Sequence, residues 1–267
     1  MDFVYNIPNV ILLILFITVM VSISLVGLYY FNELTYDRTY NDNNTGVFLA
    51  AISIVIGVTL AFIVTNEWTK YSDAQENQIE EANFLNLIYQ TALVLPNTEC
   101  IQRSLVNYLC SIVNLEFPAM QSGQLPESSE CFYRFQESIL LYNVDLNNKQ
   151  LILYTQMLDY FNQSVSLRNK RLQSAIIGLP QELWWMMIFG YIITMVMMWF
   201  ISGDLRYRLL MNGFVISVYA TVLFLAVVLD YPYRGQFSLT PAPYQFVLNS
   251  IPASCANVNL NCLVGCV

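Results

Sequence analysis

Four apolar segments, each about as long as the hydrocarbon core of a bilayer is thick, constrain the fold of this chain more than any other feature. They cover residues 10–30, 47–65, 183–201 and 209–229, and none contains a charged residue. A helix of about 20 residues is long enough to cross a bilayer. Only 11% of the 267 residues are charged, against about 25% in a soluble domain. The sequence therefore predicts a multi-pass membrane protein in contact with the lipid bilayer, in a plasma membrane or a bacterial inner membrane.

Composition excludes several functional classes. The chain has no histidine, which removes the commonest general base and the usual ligand of catalytic metals. Its net charge of −8 opposes nucleic-acid binding, which needs a basic surface. The sequence also contains no nucleophile–base pair and no Gly-rich phosphate loop. We therefore expect no enzyme activity, no cofactor, no metal site and no nucleic-acid partner.

The segment that follows the second span predicts a helix that continues beyond the membrane. Neither Gly nor Pro occurs between Gly57 and Pro96, and Asp73, Glu76 and Glu80 form a polar stripe at helical spacing. We predict one helix over residues 47–95. Three further helices are predicted at 98–115, 127–142 and 150–177, with Asn97 or Thr98 capping the first of them and a turn-rich break from Pro118 to Pro126.

These elements predict an all-α membrane protein. Four transmembrane helices carry a helical soluble domain inserted between the second and the third, and the second helix is continuous into that domain. The expected divisions are a first membrane hairpin (1–66), a helical extramembrane domain (67–182), a second membrane hairpin (183–230) and a C-terminal tail (231–267).

Several strings of the sequence resemble the bestrophin-like family of membrane proteins. They are NEWTKYSDA from Asn66, EEANFLNLIYQ from Glu80, YLCSIVNLEFPAM from Tyr108, SLRNKRLQSAIIGLPQELWW from Ser166 and LDYPYRGQFSLTP from Leu229. The resemblance covers about residues 10–245, and its last block is the most specific. The family is named for its similarity to bestrophins, which are pentameric ion channels whose pore is lined by the second membrane helix.

The resemblance implies a homo-oligomeric channel, expected as a pentamer, that passively conducts small inorganic anions such as chloride or bicarbonate. Two alternatives stay open. A cation channel of the same architecture is favoured by the acidic residues after the second span, and a non-conducting membrane scaffold would use residues 68–181 to dock a partner.

The second span has two faces at helical spacing. Large side chains on one face are candidates to line a pore, where they would form a constriction that excludes water: Phe48, Ile52, Val55, Thr59 and Phe62. Small side chains on the other face are candidates for close helix packing, within the chain or between subunits: Ala50, Ser53, Gly57 and Ala61.

Two further groups are candidate site residues. Where the second helix leaves the bilayer, Glu67, Lys70, Asp73 and Glu76 are candidates for a pore mouth, with Glu80 and Glu81 extending an acidic collar. After the fourth span, a sharp turn is predicted, because Pro232 cannot continue a helix and Gly235 permits a tight exit. Its flanking charges, Asp230 and Arg234, are expected to fix that exit against the helix that carries Arg168, Lys170 and Arg171.

Basic residues near the spans predict membrane orientation, because Lys and Arg are enriched in cytoplasmic loops. Those on the side of the helical domain are Lys70, Arg168, Lys170, Arg171 and Arg234, and those on the other side are Arg38, Arg206 and Arg208. The count favours, by a small margin, a cytoplasmic helical domain and cytoplasmic termini. All six cysteines lie on the same side: Cys100, Cys110, Cys131, Cys255, Cys262 and Cys266. In the cytoplasm we expect reduced thiols, whereas a periplasm or lumen would favour disulfides.

Overall fold

The computed structural model describes residues 8–34, 42–126, 130–142, 147–201 and 204–251. Within these ranges the chain is helical and contains no strand. Its elements are α1 (Asn9–Leu34), α2 (Asp42–Val94), α3 (Glu99–Ser111), a π-helical turn (Ile112–Glu116), α4 (Phe117–Gln121), α5 (Glu130–Leu140), α6 (Asn148–Ser174), α7 (Gln181–Trp199), α8 (Leu205–Leu229) and α9 (Ala242–Ser250). The helices α1, α2, α7 and α8 are long and apolar enough to cross a membrane.

The chain divides into two compact units. The membrane unit comprises Met1–Thr69 and Gly178–Asp230, and the helical unit comprises Lys70–Ile177 and Tyr231–Val267. Helix α2 is continuous from Asp42 to Val94 and contributes residues to both units. At a rise of 1.5 Å per residue, it is about 80 Å long.

In the membrane unit, α1 packs on α8, and buried polar groups contribute hydrogen bonds to the packing of α1. The Ser24 hydroxyl donates to Oδ1 of Asn212 at 2.8 Å, and both side chains are buried. The indole Nε1 of Trp199 donates to the Ser24 carbonyl at 3.2 Å. A Cβ atom on Gly27 would overlap the Trp199 ring, so the ring can reach α1 only because residue 27 has no side chain.

The helical unit has an aromatic core between α3, α5 and α6. The Tyr108 ring stacks on Phe135 with centroids 5.7 Å apart and lies 5.4 Å from Phe132. Phe161 of α6 meets Phe135 edge to face at 5.6 Å. Aromatic side chains bury large apolar areas and gain further from these geometries, so this cluster holds the three helices together.

A buried ionic network connects α2, the π-helical turn and α6. Arg171 donates to Glu81 from Nε at 2.8 Å and from Nη2 at 3.1 Å, and Nη2 also donates to Glu116 at 2.7 Å. Arg168 donates to the second oxygen of Glu116 at 2.9 Å. Glu81 also accepts the hydroxyl of Tyr244 at 2.7 Å. A buried charge is tolerated only when it is paired and hydrogen-bonded, and two arginines here balance two glutamates.

Several helix ends differ from the sequence-based expectations. The helix predicted over 98–115 continues through a π-helical turn into α4, because Pro118 lies in the first turn of α4, where its missing N–H is tolerated. Thr98 does not cap α3 with its side chain. Its hydroxyl instead donates to the carbonyls of Ala92 and Leu95 at the end of α2.

Two other features of the helical unit were missed or wrongly predicted. The short helix α9 lies within the predicted tail, and Pro243 stands in its first turn. The described cysteines, Cys100, Cys110 and Cys131, are disulfide-bonded, so the expectation of reduced thiols is wrong for these three. The helix start predicted at residue 127 and the cysteines at 255, 262 and 266 lie outside the described residues.

Candidate functional site

The large-residue face of α2 is open for much of its length. Phe48, Val55 and Phe62 are 64%, 67% and 73% exposed, and they recur every seven residues. Ile52 and Thr59 lie between them and are half-buried. All five were predicted from spacing alone as one face, and three of them have most of their surface uncovered within the chain.

A cleft of about 430 Å³ separates this face from α7. Ile52, Val55 and Thr59 line it from α2, and Phe189 and Ile193 line it from α7. The cleft is apolar, so water gains little by entering it. A neighbouring apolar helix or a lipid chain would fill it.

The small-residue face lies on the other side of α2. Ala50, Ser53, Gly57 and Ala61 are all exposed, and a Cβ atom on Gly57 would meet nothing within 4 Å. Ser53, Gly57 and Ala61 line a second cleft of about 600 Å³, together with Val215, Val218 and Val222 of α8. Among the described residues, this face is therefore not used for close helix packing within the chain.

A third face attaches α2 to the membrane unit. Leu60 and Ile63 are buried with Met187 and Ile216 in one apolar cluster. Nearby, Tyr219 of α8 donates its hydroxyl to the Met187 carbonyl at 2.7 Å. Within the chain, the span thus has one anchored face and two open faces.

The candidate pore-mouth residues do not share one environment. Glu67 is fully buried and accepts from the Asn66 amide at 3.5 Å. Lys70 is half-buried, whereas Asp73 and Glu76 are exposed. Within the chain, Asp73 and Glu76 therefore present their carboxylates to solvent, whereas Glu67 does not.

Glu80 and Glu81, the two residues expected to extend the acidic collar, differ in burial. The Glu81 carboxylate is buried and paired with Arg171, whereas Glu80 beside it is exposed. Because neighbouring residues of a helix point about 100° apart, one of two consecutive glutamates enters the core and the other faces solvent.

The charged residues that flank the turn after the fourth span, Asp230 and Arg234, both have hydrogen-bond partners. The Leu179 amide donates to Asp230 Oδ1 within the membrane unit. In the helical unit, Arg234 Nη2 donates to the Gly123 carbonyl at 3.2 Å, and its guanidinium stacks on Tyr231 at 4.3 Å. Arg171 bonds Glu81 and Glu116, because its side chain is directed into the core of the helical unit.

The turn itself follows the sequence expectation. Pro232 stands just after α8, and its carbonyl accepts from the Leu239 amide at 2.8 Å. Gly235 has a φ of 80°, a conformation that glycine adopts without steric cost. Pro232 and Gly235 thus supply the sharp exit that their types predicted.

Burial and neighbouring charges shift the pKa of several groups in the buried network. Burial alone would raise the pKa of Glu116, but Arg171 and Arg168 outweigh it, and this pKa is lowered. Burial and the nearby Glu81 raise the pKa of Tyr108 and Tyr244 well above the usual value of 10. Both tyrosines are therefore neutral donors at physiological pH.

Two contacts inside the membrane unit were not predicted, the hydrogen bond between Ser24 and Asn212 and the close approach of Tyr219 to Gly190. Asn212 is an amide within a predicted span, which is itself a signal that a partner exists, and Ser24 supplies it. Gly190 gave no such signal in the sequence, although a Cβ atom there would lie 2.7 Å from the Tyr219 hydroxyl.

The fold and this helix define an all-helical integral membrane protein. The chain belongs to the bestrophin-like family, because the Bestrophin-like domain matches residues 14–244. It is similar in fold to the crystal structure of a point mutant of a bacterial bestrophin homologue from Klebsiella pneumoniae, at 14% identity and a TM-score of 0.65, over 90% of this chain and 98% of that chain.

Two further crystal structures show the same similarity of fold. A different point mutant of the Klebsiella pneumoniae homologue gives 13% identity and a TM-score of 0.60 over 91% of this chain and 97% of that one. A mutant described only as a membrane protein gives 15% identity and a TM-score of 0.64 over 89% of this chain and 94% of that one. No curated protein matches the sequence.

Proposed function

We propose that this protein is an ion channel that conducts passively as a homo-oligomer, with the membrane part of α2 lining the pore. Membership of the bestrophin-like family supports the channel class. The observation that carries the pore assignment is the exposed stripe of Phe48, Val55 and Phe62. Around a symmetry axis, such a stripe forms apolar rings that restrict water and ions.

The two open faces of α2 support an assembly of several copies. The small-residue face would let a helix of a neighbouring subunit approach closely. We propose a pentamer, the state of the bestrophins that the family resembles. Size-exclusion chromatography with light scattering in detergent measures the stoichiometry directly.

Small anions such as chloride or bicarbonate are the proposed permeant ions, on the basis of the resemblance to bestrophins. Cation conduction is the second candidate, and the charges on α2 favour it. Asp73, Glu76 and Glu80 are exposed, while Lys70 is half-buried. An acidic entrance concentrates cations.

Conductance of the purified protein in planar bilayers under a KCl gradient tests the channel and its selectivity together. A reversal potential near the chloride equilibrium potential supports anion conduction, and one near the potassium potential supports cation conduction. An oligomer that conducts neither ion would favour the membrane scaffold, with residues 68–181 as its docking domain.

Truncating one side chain of the exposed α2 stripe tests the pore assignment. We expect Phe62→Ala to raise ion leak from reconstituted liposomes, because a smaller side chain lets water enter the constriction. Phe214→Ala on α8 is the matched control, since Phe214 is 70% exposed and Phe62 is 73% exposed. Equal leak through both variants would show that the α2 stripe does not face the pore.

A further inference from the structure

Residues 231–251, the post-span segment, form two side-chain hydrogen bonds with the part of α2 that belongs to the helical unit. The Gln78 amide donates to the Thr240 carbonyl. The Tyr244 hydroxyl donates to Oε2 of Glu81 at 2.7 Å. Gln78 and Glu81 lie about one helical turn apart on α2, and both are buried. The post-span segment is therefore attached to α2 at two neighbouring points.

Both points face away from the exposed stripe of α2. At about 100° per residue, Gln78 lies roughly 160° around the helix axis from Phe62, and Glu81 lies roughly 100° from it. Helix α2 is continuous from Asp42 to Val94. A rotation of α2 at Gln78 and Glu81 would therefore also turn the Phe62 side chain.

We propose that Tyr244 and Gln78 are positioning residues for conduction, because they fix the rotation of α2 about its own axis and thereby the direction of the stripe. The proposal rests on the proposed channel function. Neither residue belongs to the stripe, and both act through α2. Tyr244 acts through the Glu81 carboxylate, and Gln78 acts through its own bond to the backbone of the post-span segment.

The Tyr244 hydroxyl can be removed without disturbing the ionic network. Glu81 keeps both hydrogen bonds from Arg171, so no buried charge loses its counter-ion. The Tyr244 ring keeps its edge-to-face contact with Phe117, with centroids 5.7 Å apart, and lies 5.5 Å from the Arg171 guanidinium. Tyr244→Phe therefore removes one attachment of α2 and retains the packing around it.

Hydrogen–deuterium exchange of the full-length protein in detergent tests the attachment. We expect the amides of residues 75–85 to exchange about five- to tenfold faster in Tyr244→Phe and, separately, in Gln78→Met. A lost buried hydrogen bond changes a local opening equilibrium by about this factor. Exchange at the parent's rate in both variants would show that the post-span segment does not hold α2, and it overturns the proposal.

Tyr154→Phe is the matched control. The Tyr154 hydroxyl donates to the Ile139 carbonyl at 3.0 Å, so this bond joins α6 to α5 and does not involve α2. The variant loses one tyrosine hydroxyl bond in the same unit, and residues 75–85 should exchange at the parent's rate. Equally fast exchange in Tyr154→Phe and Tyr244→Phe would indicate a general loosening of the helical unit and contradict the proposal.

Ion flux from reconstituted liposomes tests the positioning role, below the unfolding temperature of every variant. Tyr244→Phe and Gln78→Met should each raise the flux by about the factor seen in exchange, because a helix that can rotate holds the Phe62 side chains less firmly in the constriction. Tyr154→Phe should conduct like the parent.

Two other flux results have separate meanings. Faster exchange of α2 with unchanged flux would show that the attachment exists but does not position the stripe, and it overturns the proposal while the channel function stands. A parent protein without flux overturns the proposed function and the positioning role with it. That result is recognised in the parent alone, before any variant is compared.

Discussion

Arg171 donates two hydrogen bonds to the carboxylate of Glu81, from Nε at 2.8 Å and Nη2 at 3.1 Å, and both side chains are fully buried. The pair joins α6 to the part of α2 that belongs to the helical unit, across 90 residues of sequence. The same guanidinium reaches Glu116 in the π-helical turn. The core of the helical unit therefore depends on one arginine that holds two acidic residues.

Arg171→Met should strongly destabilise the helical unit. Removing one partner of a buried ion pair costs about 3–5 kcal/mol, because the remaining charge stays buried and unpaired. Thermal unfolding followed by near-UV circular dichroism in detergent measures the loss, because the unit is rich in aromatic residues.

Arg134→Met is the control for that variant. Arg134 pairs with Glu130 one turn away on α5, and both side chains are partly exposed, at 36% and 55%. Exposed pairs of this kind contribute at most about 1 kcal/mol. If the two variants lose the same stability, the buried network is not what holds the helical unit together.

The helical unit should lose stability in acid through Glu116. Its pKa in the folded state is lowered from an ordinary value of 4.5. The stabilisation is therefore complete above that value and is lost as the pH falls through the folded-state pKa. Unfolding temperatures measured from pH 7 to pH 3 should be level at first and then fall below about pH 4.5.

Glu116→Gln should flatten this acid limb, since the amide does not titrate, while lowering stability at pH 7. Glu130→Gln, in the exposed pair, should leave the acid limb as steep as in the parent protein. An acid limb that is unchanged by Glu116→Gln would assign the pH dependence to other carboxylates.

Gly27→Ala should destabilise the membrane unit. Its methyl group would overlap the indole of Trp199, and overpacking a tight contact costs about 1–3 kcal/mol. The fraction of protein that stays monodisperse in detergent after heating reports the effect. Gly213→Ala is the control, because a Cβ atom there meets nothing within 4 Å, and it should retain the parent's stability.

Gly57→Leu should weaken assembly without unfolding the subunit. A Cβ atom at Gly57 meets nothing within 4 Å in the chain, but a leucine there would keep a neighbouring helix at a distance. Light scattering in detergent should show smaller species, while the helical content by circular dichroism stays constant. A full-sized oligomer of Gly57→Leu would show that the small-residue face is not a subunit contact.

Local properties of the sequence were sufficient to predict most of the helices. Hydropathy located all four spans, and the absence of Gly and Pro after Gly57 predicted the long α2, which continues to Val94. Pro232 and Gly235 predicted the turn after α8 because their backbone preferences act within a few residues. The short helix α9 was missed because two prolines at its start are as typical of a turn as of a first helical turn.

The partners of the side chains were decided only by the tertiary structure. The spacing of Glu80 and Glu81 did not indicate which carboxylate is buried, because burial of Glu81 depends on its pairing with Arg171, 90 residues away. The same holds for Ser24 with Asn212, 188 residues apart, and for the redox state of the cysteines. Helix formation and membrane partition depend on neighbours in sequence, whereas a buried charge, a hydrogen bond between helices or a disulfide forms only when folding brings distant side chains together.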